Sequence, residues 1–379
     1  MNSSLSPHHL VNLHPLRGIA ALAVLLLHCH QLVSPLTTTA TELVNKGYLA
    51  VDFFFMLSGL VLAYRYETYF NESVSRFDYK RYLLARCRRI LPVYVLTLLF
   101  TFFIGAILLS CTTGLSPFWR QVFSTGGAVS SILLVQGFPI HQVAVWNMPS
   151  WSLSVEWWMY AAFPFHPWIK TVSGIRNAYI RLLIIVFLYA LLIGYIVPVF
   201  GIHHASTLDF GPDLGFLRCA IGFSAGLVTY QFYQNKHLVN HLTGSWQWPL
   251  LVIVIGYCMH TGESDMLIIS FFPLLLLATL AVKGRVQRLL QHPLGRWLGD
   301  RSYSIYLVQM PVIFALYAWY AVDNPRLLLD STDVLPPNPD LLKGWTLGLP
   351  VIVGTLYLSD LIYQHVEQPF RQAKKTLLL

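Results

Sequence analysis

Residues 16–28 read Leu16-Arg17-Gly18-Ile19-Ala20-Ala21-Leu22-Ala23-Val24-Leu25-Leu26-Leu27-His28, an apolar run with a cation at its start and a titratable ring at its end. Extended to residue 33, it has about the 20 apolar residues that a helix needs to cross a bilayer. Comparable blocks recur near 47–64, 90–111, 148–168, 180–200, 214–233, 247–262, 265–283, 302–322 and 344–364. The expected fold is therefore all-α: one membrane domain over 1–379, polytopic, with about ten transmembrane helices. Pro, Gly and charge inside several blocks are tolerated where neighbouring helices satisfy the freed groups. A shorter apolar stretch, 128–139, reads as re-entrant or interfacial, with an eleventh span as the alternative.

Composition agrees. The 379 residues are 55% hydrophobic and 11% charged, with a mean hydropathy of +0.57. A soluble domain averages about 25% charged residues, so a cytosolic enzyme, a disordered regulator and an ordinary nucleic-acid-binding module are excluded. The net charge of +8 reflects orientation, because Lys and Arg collect on cytoplasmic loops. The 65–89 segment holds Arg65, Arg76, Lys80, Arg81, Arg86, Arg88 and Arg89, and 283–301 holds Lys283, Arg285, Arg288, Arg296 and Arg301. Arg17, Lys170, Arg176, Arg181, Lys236, Arg371, Lys374 and Lys375 fall on the same side. The opposite loops keep Lys46, Arg120, Arg326 and Lys343, with Arg218 inside a span, and carry acid at Glu42, Asp209, Asp213, Glu263, Asp265, Asp323, Asp330, Asp333 and Asp340. Ten spans then put both termini in the cytoplasm of a multi-pass cell-membrane protein (the inner membrane, in a bacterium). The first span reads as an uncleaved signal anchor. The five scattered cysteines fit neither zinc nor a disulfide framework, and His203-His204 lacks a third ligand at metal spacing.

Ionisable residues inside spans are costly and by default mark function. Eleven helical steps rotate by about 1100°, within ~20° of three turns, so Arg17 and His28 share a face ~16 Å apart along the axis. Asp52 lies about five residues inside the outer end of the second span, so antiparallel pairing brings it to the depth of His28. Glu156, in Trp151-Ser152-Leu153-Ser154-Val155-Glu156, starts another inward span near that level. Either carboxylate beside the imidazole fixes its tautomer and raises its basicity, as a general base requires. The simpler alternative ties Glu156 to backbone donors or to Arg218. Arg86 and Arg89, three residues apart, suit a bidentate phosphate clamp, or else topology and anionic lipid. Ser58-Gly59 permits close helix approach, and Ser58 lacks the context of a nucleophile. Trp146, Trp151, Trp157 and Trp158 suit stacking on sugar rings or an interfacial aromatic belt.

Taken in order, these segments resemble acyltransferase family 3, the integral-membrane O-acyltransferases, in the form without a fused soluble domain. Arg17 and His28 match its Arg-x10-His pattern, and Tyr48–Gly59 its Asp-containing second segment. Arg86 and Arg89 match Arg-x-x-Arg, and residues 147–156 are similar to Pro-x-Trp-Ser-Leu-Ser-Val-Glu. The runs at 302–307, with Ser302, Tyr303 and Tyr306, and at 367–371, beginning with Glu367, resemble the closing motifs. Gln309 stands where members often carry His, and is assigned no proton-transfer role.

The resemblance implies no permanently bound cofactor, and an acyl-CoA donor, usually acetyl-CoA, held at the cytoplasmic face by Arg17, Arg86 and Arg89. It implies a hydroxyl acceptor on a sugar, on a surface polysaccharide such as an exopolysaccharide or lipopolysaccharide, or on a glycolipid precursor, with glycan-assembly partners. His28 takes the acceptor's proton, oriented by Asp52 or Glu156, followed by direct attack or by an acyl-His intermediate. Ser58, Trp151, Ser152, Tyr306 and Glu367 are expected to bind substrate or hold the site. Nucleic acid and metal have no place in this reading. A transporter or flippase for a glycolipid or polar solute explains the spans equally, but lacks an inverted repeat with paired broken helices. A glycan-assembly scaffold is the third alternative.

Overall fold

Among the described residues the chain forms helices and no strand. The computed structural model describes residues 8–38, 40–70, 74–166, 168, 175–200, 207–242, 244, 246–329 and 341–372. His203-His204, Lys170, Lys374, Lys375, Asp330, Asp333 and Asp340 lie outside them. Each of the ten apolar blocks falls on a helix. These are α1 His14–His28, α2 Ala50–Phe70, α3 Arg76–Cys111, α4 Ser150–Ala162, α5 Ile175–Leu191, α6 Gly215–Gln234, α7 Gln247–Thr261, α8 Asp265–Ala281, α9 Pro293–Asp323 and α10 Leu341–Ile362. α1, α5 and α10 continue into π-helical turns, Cys29–Val33, Leu192–Ile196 and Tyr363–Glu367.

Six helical stretches among the described residues, those built on α1, α2, α3, α5, α9 and α10, are long and apolar enough to cross a membrane. A seventh is added if α8 and the helix Gly284–Leu290, bent by 103°, form one span. Length and composition alone thus give six or seven crossings where the sequence blocks suggested about ten. The shortfall has a plain cause. α4 has 13 residues and α7 has 15, and a 13-residue helix rises only ~20 Å against a hydrocarbon core of ~30 Å. α6 has 20 residues, but Arg218 and the polar end at Gln231 and Gln234 lower its hydropathy. In the 128–139 stretch, the helix Thr125–Ile132 is too short to cross, and the turns after it are tied to α4. Gly137 N–H donates to Ser154 Oγ at 3.2 Å, and Gln136 Nε2 to the Ser150 carbonyl at 3.1 Å.

The basic 65–89 segment is mostly helix rather than loop. α2 runs on to Phe70 and α3 begins at Arg76, where the Ser75 side chain accepts from Asp78 N–H at 3.1 Å and caps the helix. Arg86 and Arg89 are thereby fixed one turn apart on a rigid element. α9 is the hub of one half, packing on α1, α3 and α10. Pro311 inside α9 has no N–H for the Leu307 carbonyl. Asn147 Nδ2 donates to that freed oxygen at 3.1 Å, which anchors the approach to α4 on α9.

α2 and α6 approach so closely that backbone meets backbone. A Cβ on Gly226 would lie 1.9 Å from the Met56 carbonyl oxygen, and one on Gly59 would lie 2.0 Å from that of Phe223. Only glycine fits at such a crossing, the close approach that Ser58-Gly59 suggested. Gly226→Ala is expected to cost about 1–3 kcal/mol through overpacking, seen as a lowered Tm in detergent. An unchanged Tm would contradict the packing.

Candidate active site

The helix ends bring the arginines together. α1, α2, α3, α4 and α9 enclose a cavity of about 240 Å³ lined by Arg17, Arg65, Arg86 and Arg89, with Ser58 and Glu156 deeper in the wall. Arg86 is buried; its Nη2 donates to Tyr66 OH at 3.0 Å, and its guanidinium lies 5.3 Å from the Tyr66 ring centroid and 5.8 Å from that of Tyr82. Its Nε has no hydrogen-bond partner. Among the described residues, none of these four arginines forms an ion pair with a carboxylate. Glu156 is the one carboxylate among the cavity's described lining residues. It accepts hydrogen bonds from the Ser58 hydroxyl and, at 2.6 Å, from Tyr160 OH. Four guanidinium groups facing a single carboxylate make a cavity suited to an anion with several negative charges.

A second, larger cavity of about 750 Å³ is lined by His28, Lys46, Trp151, Asp209, Arg218 and Tyr306, among others. His28 Nδ1 is hydrogen-bonded to Gln309 Oε1 at 3.0 Å. Neither carboxylate expected beside His28 is there. Asp52 is fully buried and forms an ion pair with Arg218, whose Nε and Nη2 donate to it at 3.1 and 2.6 Å. Arg218 also donates to the carbonyls of Phe210 at 3.1 Å and Tyr48 at 2.9 Å. Glu156 lines the arginine cavity instead, and pairs neither with His28 nor with Arg218. Glu156 also lies at another level than expected, because it bonds Ser58, six residues or ~9 Å along α2 from Asp52.

Tyr306 of α9 lines both cavities and stands between them. Its hydroxyl is 2.7 Å from Ser152 Oγ and donates to the Pro149 carbonyl at 3.1 Å, so α4 and α9 together build the partition. Phe54 packs edge-on against the Tyr306 ring. Trp151 is buried against Phe55 and Gly215, with the Arg218 guanidinium 5.7 Å from its ring. It is a wall of the histidine cavity, whereas the exposed Trp158 fits the aromatic belt. Glu367 is buried, accepts from Ser304 Oγ at 2.6 Å, and pairs with Arg371, tying the turn after α10 to α9.

Sequence reasoning missed four members of the site. Tyr160, one turn after Glu156 on α4, was signalled by i, i+4 spacing. Arg65 was counted only as a loop charge. His14, beside the arginine cavity, bonds Asp300 at 3.0 Å and lay outside the assumed first span. Gln309 was read only for what it lacks.

Among the described residues, a helical bundle with membrane-crossing helices thus holds an arginine-lined cavity and, on the other side of Tyr306, a cavity lined by His28. The chain belongs to acyltransferase family 3, whose profile, described as "Acyltransferase domain", matches residues 11–364. It is 26% identical over 394 residues to the putative peptidoglycan O-acetyltransferase YrhL of Bacillus subtilis, covering 96% of this chain and 55% of that protein. It is 22% identical over 385 residues to the peptidoglycan O-acetyltransferase OatA of Listeria monocytogenes, covering 94% and 55%. It is 33% identical over 172 residues to the acyltransferase MdmB of Streptomyces mycarofaciens, covering 44% and 41%. The chain spans about half the length of the curated relatives it matches. No solved structure matches it.

Proposed function

We propose that the chain is a membrane O-acyltransferase, moving an acyl group, acetyl in the first instance, from acyl-CoA to a hydroxyl of a sugar, surface polysaccharide or glycolipid precursor. The observation that carries the proposal is the pair of cavities on either side of Tyr306. One is rich in arginines that pair with no carboxylate among the described residues, and the other holds His28. The phosphates of acyl-CoA fit the first cavity through Arg17, Arg86 and Arg89, with Arg65 at the same wall. The pantetheine arm then carries the thioester past Tyr306 and Ser152 toward His28. The acceptor enters the second cavity, where Trp151 offers a flat apolar face to a sugar ring. The relatives named as peptidoglycan O-acetyltransferases favour a glycan acceptor.

His28 accepts the hydroxyl proton as the oxygen attacks the acyl carbonyl. The C–O bond forms, the C–S bond breaks, and the CoA sulfur leaves with the proton His28 returns. Glu156, held by Ser58 and Tyr160, shapes the donor side rather than orienting the base. The basic end faces the cytoplasm on this reading, with ten crossings and both termini inside. The gathering of Arg17, Arg65, Arg86 and Arg89 in one cavity supports that orientation.

The test is acetyl-CoA binding and consumption by the purified protein in lipid. A charge-assisted hydrogen bond contributes roughly 1.5–3 kcal/mol, so Arg89→Ala or Arg17→Ala is expected to weaken acetyl-CoA binding by about ten- to a hundredfold. Unaltered binding in both variants would remove the donor assignment.

A further inference from the structure

The hydrogen-bond partner of His28 carries more information than its distance, because the direction of the bond can be read. Gln309 is fully buried in α9, and its Nε2 lies 2.7 Å from the Tyr306 carbonyl oxygen. A carbonyl oxygen only accepts, so the atom facing it must be the amide NH₂. The flipped amide would set two acceptor oxygens 2.7 Å apart with no proton between them. The Gln309 orientation is therefore fixed by its own helix. Its Oε1, an acceptor with no proton to give, faces His28 Nδ1 at 3.0 Å. The proton on that bond then belongs to the imidazole. In a neutral ring with Nδ1–H, Nε2 is the unprotonated nitrogen. The ring lines the histidine cavity, and no protein partner occupies Nε2 among the described residues.

We propose that Gln309 is a positioning residue that locks His28 in the Nδ1–H tautomer and so presents the Nε2 lone pair to the histidine cavity. The lock is a neutral amide, not a carboxylate. It selects the tautomer without adding negative charge beside the ring, a different device from a carboxylate–histidine pair. Tyr306 joins the two functions, because its side chain forms the partition while its carbonyl sets the amide that sets the base. The tautomer stands on geometry alone; only its catalytic consequence rests on the acyl-transfer reading.

The test is ¹⁵N magnetic resonance of protein labelled at histidine and reconstituted in liposomes, at mildly alkaline pH. Subtracting the His28→Asn spectrum isolates the ring. The expected result is a protonated, pyrrole-type Nδ1 and an unprotonated, pyridine-type Nε2. The opposite tautomer in the wild-type protein would overturn the proposal. Gln309→Leu removes the acceptor and is expected to release the ring into a mixture of tautomers or into Nε2–H. It should also lower kcat by about ten- to a hundredfold, part of what a positioned base contributes, with the KM for acetyl-CoA unchanged. An unchanged tautomer in Gln309→Leu would overturn the positioning role. Should the leucine variant fail to insert, the wild-type spectrum still decides the tautomer. A wild-type ring in the Nδ1–H form, with undiminished transfer in His28→Asn, would overturn the base reading and leave the tautomer assignment standing.

Discussion

His28→Ala is expected to lower acyl transfer by about 10²–10⁴-fold while leaving acetyl-CoA binding and insertion intact. The size follows from the role, because proton removal from a hydroxyl by a positioned base contributes that much. The selectivity follows from the place. His28 lines the cavity opposite the arginines, so its loss leaves the donor site untouched. Among the described residues its side chain bonds only Gln309, whose other bond, to the Tyr306 carbonyl, remains. The folding penalty is accordingly that of a trimmed, half-buried side chain. Weakened acetyl-CoA binding in His28→Ala would place the ring in the donor site instead, contrary to the two-cavity account.

Asp52→Asn is expected to destabilise the protein by about 3–5 kcal/mol, the cost of breaking a buried ion pair by removing one charge. Arg218 would lose its buried counter-charge inside α6, and the side-chain amide would turn an NH₂ toward a guanidinium that has only donors. Its remaining bonds to Phe210 and Tyr48 are to neutral carbonyls. Arg218→Met strands the carboxylate and is expected to be equally damaging. The paired change Asp52→Asn with Arg218→Met leaves neither charge, and should recover most of the lost stability. A thermodynamic cycle over the two sites measures this coupling. Additive losses would mean that each group works independently and would contradict the ion-pair account. Strong coupling keeps it as the anchor of Arg218, and so of the cavity wall beside Trp151 and Phe210.

What the sequence made legible was set by periodicity and by rarity. The apolar blocks predicted where helices fall because about 20 apolar residues have few other fates, and each block does lie on a helix. Full crossing was harder to read, since hydropathy does not reveal that the helix from Ser150 stops at Ala162. Rare charges in apolar surroundings pointed to Arg17, His28, Asp52 and Glu156, and Arg86 and Arg89 do converge with Arg17. Their pairings were not legible. Depth along a helix follows from counting residues, whereas which neighbour a side chain meets depends on helix rotation and on packing between distant segments. Asp52 meets Arg218 because Gly59 and Gly226 let α2 and α6 close to backbone contact. Gln309 was noted only as a departure from the family pattern, because an amide in an apolar helix carries no charge to mark it as a partner, although the Tyr306 carbonyl one turn earlier fixes its direction.

The central claim is that the donor binds at the basic end and the acyl group leaves on the other side of Tyr306. Membrane vesicles from cells that make the chain, sealed in either orientation and given acetyl-CoA labelled in its acetyl group, test this most directly. Inverted vesicles, with the basic end exposed to the added donor, are expected to build label into alkali-labile esters on lumenal glycan or glycolipid, and to lose that incorporation in His28→Ala. Equal labelling of sealed right-side-out vesicles, or undiminished label in the His28→Ala membranes, would contradict the account.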